Sequence, residues 1–221
     1  MYQKEYLFTY PAMLKLAGKK CVIIGGGSVA ERKLRSLLQA GAYVTVIAPQ
    51  FTAGIQEVAD HERCHLLPEA YQPQQLDNAF LVVAATDSKA INREVTKQAP
   101  FLCNNITEPE LGNFTVSASL VKKNITLTLS TGGMPAYARL LKNYFDSKLT
   151  PALVDFNDFL QEMRQEVKLI PSTPAARTSF WRHTLTEEII SLLENNNYTA
   201  AKEKIIHAVN CFRSQSQNRT R

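Results

Sequence analysis

The 221 residues suffice for one full domain plus a smaller second unit, and a composition of 45% apolar and 20% charged residues is that of a globular chain, which argues against wholesale disorder. No apolar run approaches the ~20 residues of a spanning helix, and Met1-Tyr2-Gln3-Lys4-Glu5 lacks the charged-then-apolar order of a signal peptide, so no membrane partner is expected and the cytoplasm is the expected compartment. The formal charge of +5 is mostly local, because five Lys/Arg face one Glu from Ala201 onward; the rest is nearly balanced, and nucleic acid is not an expected partner.

In chain order, Cys21-Val22-Ile23-Ile24 is a strand-sized apolar run stopped by three glycines, and Val29, Leu34, Leu37 and Leu38 follow at helical spacing. Gly41-Ala42 closes that helix, and Tyr43 to Ala48 supplies a second β-rich run ended by Pro49. A helix over about Ala53 to Asp60, a short strand near His65-Leu66-Leu67, and the continuous apolar run Ala79 to Ala85 come next. A strand apolar on both faces belongs inside a parallel sheet. A helix carrying Ile91 and Val95 and a brief strand at Phe101-Leu102-Cys103 complete a βα alternation that predicts a doubly wound sheet.

The pattern changes after Pro109. Phe114 to Val121 and Ile125 to Ser130 are β-rich runs separated by Lys122-Lys123-Asn124, which reads as a hairpin. From Pro135 the chain reads as helical, with turn signals at Thr150-Pro151, Pro171 to Pro174 and Asn195 to Asn197. The expected plan is a Rossmann-type α/β domain at 1–112, a β-hairpin segment at 113–150, a small helical domain at 151–212 and a disordered tail at 213–221.

The chemistry concentrates at Gly25-Gly26-Gly27-Ser28-Val29-Ala30, the GxGxxA spacing placed directly after a strand and opening a helix. Gly25 permits the sharp turn, Gly27 lets the backbone approach phosphate oxygens, and Ala30 lets the helix pack against the sheet. The free N–H groups near Ser28 and Val29 then face the anion. The carboxylate that usually binds the ribose hydroxyl at the end of the second strand is missing. Pro49 and Gln50 stand there instead, so the usual acid does not decide between NAD and NADP, and ribose recognition is expected from backbone groups around Pro49 and the Gln50 amide.

The run Val22 to Lys33, then Gly41-Ala42, Val44 to Pro49, Ala84-Ala85-Thr86-Asp87 with Asn92, Asn104, Pro109, Phe114, and Ser130-Thr131-Gly132-Gly133 before Pro135-Ala136 and Ala138-Arg139-Leu140, resembles precorrin-2 dehydrogenase, the N-terminal module of sirohaem synthase. The resemblance covers roughly Tyr10 to Pro151. It implies NAD-dependent oxidation of precorrin-2 to sirohydrochlorin, a homodimer with the 113–150 segment carrying the subunit contact, and in some members iron insertion as well. It also implies a cofactor site at Gly25, Gly27, Ser28, Val29, Ala30, Pro49, Gln50 and Thr86, and a tetrapyrrole site at Asn104, Asn113, Thr131, Gly132 and Arg139. Lys142, one turn beyond Arg139, is a further candidate for pairing with substrate carboxylates.

One departure bears on catalysis. The family places an aspartate just before its loop proline, associated with proton transfer and metal insertion, where this chain has Thr107; a hydroxyl is no carboxylate base, and no catalytic residue can be named in its place. Ser117 replaces a usual proline, and the loop Thr131 to Pro135 is one residue shorter than the common form. A bifunctional dehydrogenase-ferrochelatase and a binding protein without turnover therefore stand as alternatives. Tyr144 to Lys148 also fits the YxxxK pattern of short-chain dehydrogenases, but the glycine spacing does not, and Tyr144 reads as a packing residue. The four cysteines and four histidines show no metal spacing, so no metal is expected.

Overall fold

The computed structural model describes residues 10–218; Met1 to Glu5, read above for the absence of a signal peptide, lie outside them. The chain divides after Val116 into two units with separate cores.

The first unit is a five-stranded sheet in the order β3-β2-β1-β4-β5, parallel throughout: β1 Lys20–Ile24, β2 Tyr43–Ile47, β3 Cys64–Leu67, β4 Leu81–Ala84 and β5 Leu102–Asn105. Alternate side chains of each strand point to opposite faces, and both faces are covered. On one, Cys21, Ile23, Val44, Val46, Leu81 and Val83 pack with Ala30, Leu34, Leu37 and Leu38 of α1 (Ser28–Gln39) and Ile55 of α2 (Ala53–Gln56). On the other, Val22, Ile24, Ile47, Val82, Ala84 and Cys103 pack with Val95 of α3 (Lys89–Gln98) and Leu76 of a 3-10 turn at Pro73–Leu76. Each fully buried Ile, Leu or Val contributes about 1.5–3 kcal/mol. That is why near-continuous apolar runs, not alternating ones, make this sheet. The strand order reverses between β1 and β4, and the crevice beyond their C-terminal ends is where such sheets bind ligands.

The second unit opens with the antiparallel hairpin β6 (Ala118–Lys122) and β7 (Ile125–Leu129), whose turn places Lys123 at φ 48°. Its strands start later than expected, since 114–117 are not part of the ladder. The helices α4 (Pro135–Lys148), α5 (Pro151–Leu169), α6 (Pro174–Thr184), α7 (Glu187–Glu194) and α8 (Tyr198–Asn218) follow. Thr150 and Thr173 cap α5 and α6 by accepting from Leu153 N and Ala176 N, each with Pro in the first turn. The core of α5 to α8 is Phe156, Phe159, Val167, Ile170, Ile189, Leu193, Ala201, Ile205 and Val209. The disordered tail expected at 213–221 is helical as far as Asn218, because Arg213 pairs with Glu166 at 3.2 Å and the Phe212 ring lies 4.8 Å from that of Phe180.

Candidate functional site: a glycine-floored cleft

At the strand-order reversal lies a cleft of about 530 Å3, lined by Gly25 to Gly27, by Ala48 to Thr52 after β2, by Ala70 and Tyr71 after β3, and by Ala85 to Asp87 and Ile91 after β4. Its shape follows from three glycines with three different jobs. Gly25 sits at φ +126°, and a Cβ there would meet the Ala85 carbonyl oxygen at 2.3 Å. Its N–H donates to the Ile47 carbonyl at 2.9 Å, tying the turn to β2. Gly26 is closed off by a neighbour, since a Cβ would lie 1.9 Å from the Gln50 carbonyl oxygen. Gly27 meets nothing within 4 Å: it is an extended residue at φ −86° that opens α1 with no side-chain cap. The first N–H groups of α1 therefore have no intrahelical partner and border open space.

These features fit a dinucleotide. Gly27 is bare on the side where a pyrophosphate would approach, and the uncapped helix N–H groups would supply its donors. Of the expected cofactor residues, Gly25, Gly27, Pro49, Gln50 and Thr86 line the cleft. Ser28, Val29 and Ala30 do not; Ala30 is fully buried against the sheet, and Ser28 and Val29 form the uncapped first turn of α1 beside the cleft. Ala70 and Tyr71 were missed, being brought in by the third strand with no local signal. The Tyr71 hydroxyl is buried without a partner among the described residues, and burial, with Glu94 and then Cys103 nearby, pushes its pKa up.

Below the cleft runs a network of amides and hydroxyls. Asn92 is fully buried and its Oδ1 accepts from Thr86 N (3.1 Å) and Thr86 Oγ1 (2.7 Å), while its Nδ2 donates to Thr86 O (2.8 Å) and Thr107 Oγ1 (3.1 Å). Thr107 Oγ1 in turn donates to Asn105 Oδ1 at 3.1 Å, which also accepts from Thr107 N and Glu108 N. Asn105 Nδ2 donates to Thr96 Oγ1 at 3.0 Å. Thr107 thus joins the ends of β4 and β5, with its hydroxyl committed as both donor and acceptor. The adjacent Glu108 is turned away: Arg93 donates to both of its oxygens at 2.7 and 2.6 Å, and holds the carboxyl below its usual pKa. Asp87 is the one carboxylate among the cleft-lining residues.

The five expected substrate residues fall in both units. Asn104 is buried on β5, donating to the Phe114 carbonyl at 3.0 Å and leaving its Oδ1 without a partner among the described residues. Asn113 has an architectural part: its amide accepts from Cys103 N at 2.7 Å and donates to Phe101 O at 2.8 Å, so it extends β5 as a neighbouring strand would. In the second unit Thr131 donates to the Met134 carbonyl at 2.7 Å, Gly132 and Gly133 take φ +60° and +100°, and Arg139 is exposed on α4. Tyr144 is 55% exposed beneath Lys148, so it packs into no core among the described residues.

Lys33, on α1, has no ion-pair or hydrogen-bond partner among the described residues, and burial, aided by the neighbouring Arg32 charge, pulls its pKa down to about 8. In the unfolded chain a lysine titrates near 10.4. The folded state therefore binds fewer protons between these values: stability rises with pH across roughly 8 to 10, and the full cost applies below 8. Lys33→Met is expected to stabilise the protein by about 1–2 kcal/mol at pH 7, allowing for partial exposure. Urea denaturation at pH 7 and pH 10 checks this, since the advantage should vanish at the higher pH.

Residues 12–118 match the family model described as a putative NAD(P)-binding domain, and residues 153–209 match the sirohaem synthase dimerisation region. The latter falls on α5 to α8, beyond the 113–150 segment expected to carry the subunit contact. Sirohaem synthase 2 of Yersinia pseudotuberculosis serotype O:1b (strain IP 31758) is 32% identical over 201 residues, covering 89% of this chain and 42% of that protein. Sirohaem synthase of Methylobacillus flagellatus is 33% identical over 177 residues, 78% and 38% of the two chains. This chain thus spans about two fifths of the length of these relatives. The solved structure of SirC, precorrin-2 dehydrogenase, superposes with a TM-score of 0.72 at 24% identity, over 89% of this chain and all of that one, which establishes the shared fold. No helix among the described residues is long and apolar enough to cross a membrane.

Proposed function

We propose that the chain, whose residues 12–118 and 153–209 match the NAD(P)-binding and sirohaem synthase dimerisation models, is an NAD-dependent dehydrogenase that oxidises precorrin-2 to sirohydrochlorin. The observation that carries the reading is the cleft at the β1–β4 reversal, with Gly27 bare and the first turn of α1 uncapped. When bound, the nicotinamide accepts the hydride that the macrocycle loses. The chain's own part is positional: Gly25, Gly27, Pro49, Gln50 and Thr86 hold the cofactor, the first N–H groups of α1 meet its phosphates, and Asn92 with Thr107 fixes the strand ends beneath. Asn104, Thr131, Gly132 and Arg139 are proposed for the tetrapyrrole and its carboxylates, with Asn113 left to the sheet.

The reading includes a homodimer. The dimerisation-region match supports it, as does the exposed stripe Tyr137, Leu140 and Tyr144 at helical spacing on α4, which leaves apolar surface for a second subunit. Four unpaired cysteines, including the exposed Cys211, suit a cytoplasmic location.

Thr107 favours one second reading, a cofactor-binding protein without turnover. Anaerobic incubation of precorrin-2 with NAD+, following NADH and the sirohydrochlorin spectrum, separates the two, with Gly27→Asp as the cofactor-site control. Turnover abolished by Gly27→Asp supports the dehydrogenase. Saturable NAD+ binding without turnover overturns it in favour of the second reading. Metal insertion into sirohydrochlorin, assayed without cofactor, tests the chelatase alternative.

A further inference from the structure

The cleft lacks the acid that ordinarily selects NAD over NADP, yet a carboxylate stands directly behind its wall. Thr52, a lining residue, donates its hydroxyl to Glu31 Oε2 at 2.9 Å, and its N–H donates to the Gly26 carbonyl at 3.0 Å. The rim after β2 is thus pinned between the glycine turn and the Glu31 side chain of α1. Gly54 permits the approach, since a Cβ there would lie 2.1 Å from Glu31 Oε1.

The cation that could meet an extra phosphate here is already committed. Arg35, one turn along α1, donates from Nε and Nη2 to Glu31 Oε1 at 3.2 and 3.1 Å, and from Nη2 to the Gly54 carbonyl at 3.0 Å and to Glu57 Oε2 at 3.3 Å. Two carboxylates share one guanidinium, so the group behind the rim carries net negative charge. Among the cleft-lining residues there is no Lys or Arg. A 2′-phosphate at the end of β2 would face that charge with no counter-ion, whereas a ribose diol brings no charge to repel.

From this geometry we infer that Glu31 is the specificity-determining residue of the cofactor site, excluding the 2′-phosphate of NADP by its own charge and by holding Arg35 out of reach. The inference rests on the dinucleotide reading of the cleft.

The test is isothermal titration of the full-length protein with NAD+ and with NADP+, for wild type, Glu31→Gln and Glu57→Gln. Glutamine at 31 still accepts from Thr52 and keeps the shape of the contact. Wild type is expected to prefer NAD+ by about tenfold or more, and Glu31→Gln to narrow that ratio by at least about fivefold, chiefly through tighter NADP+ binding. Glu57→Gln, which leaves Thr52 untouched, should narrow it less, and added salt should narrow it in wild type. A folded Glu31→Gln protein with an unchanged ratio overturns the inference, as does a wild type that binds both equally; should Glu31→Gln fail to fold, an unchanged ratio in Glu57→Gln overturns it. Binding of neither nucleotide by wild type overturns the dinucleotide reading itself, a distinct outcome.

Discussion

Gly26→Ala is expected to damage the fold, and Gly27→Ala, one residue later, to spare the fold and weaken NAD+ binding at the proposed cofactor site. At 26 the added methyl carbon would lie 1.9 Å from the backbone oxygen of Gln50 and 3.0 Å from Ala48 Cβ, neither of which is the end of a flexible side chain. The segment after β2 must move, and overpacking of this kind costs about 3 kcal/mol or more. At 27 the methyl meets nothing within 4 Å, and the residue's extended backbone suits alanine, so stability should change by less than about 1 kcal/mol. The same methyl stands between the backbone and an approaching phosphate. Losing two charge-assisted hydrogen bonds at about 1.5–3 kcal/mol each weakens NAD+ binding by at least about 100-fold. Urea denaturation and calorimetric titration of both variants check the contrast. Equal effects on stability would sink it.

Asn92→Leu is expected to lose about 3–5 kcal/mol of stability, a large share of the 5–15 kcal/mol typical of a domain. Leucine fills the volume but returns none of the four hydrogen bonds that Asn92 makes, and the Thr86 N–H and carbonyl lose their partner in a part-buried site. Thr107→Val removes the two hydrogen bonds of its hydroxyl, while the Asn92 amide keeps its three bonds to Thr86, and should cost only about 1–2 kcal/mol. Denaturant midpoints measured at constant m-value distinguish the two. A Thr107→Val loss as large as that of Asn92→Leu would mean that Thr107 carries the network alone.

Sequence spacing predicted the first unit well because its signals are local. The glycine turn, the apolar strands and the helix start all lie within one βαβ stretch, and the hairpin announced itself through two β-rich runs around Lys122-Lys123-Asn124. What escaped depends on residues distant in sequence. The need for glycine at 26 comes from the Gln50 carbonyl, Tyr71 reaches the cleft only because β3 lies beside β2, and the Glu31–Thr52 contact joins α1 to the rim. Thr107 illustrates the same limit: its type shows only that a carboxylate is missing, while its place between two buried amides emerges when α3 and β5 are brought together. The helix past residue 212 was hidden because its polar run carries few apolar residues, and its anchor, Glu166, sits on another helix.

The joint beneath the cleft is assembled from Asn and Thr side chains and main-chain groups, none of which gains or loses a proton in ordinary buffers. The neighbouring Cys103 thiol, pushed up by burial, stays protonated as well. The floor of the proposed cofactor seat is therefore silent to acidity: between about pH 6 and 8 NAD+ affinity should trace a flat line. Any bell or slope in a turnover profile then originates outside this joint, so a simple rate-versus-pH curve reports on groups other than those that tie the strand ends together.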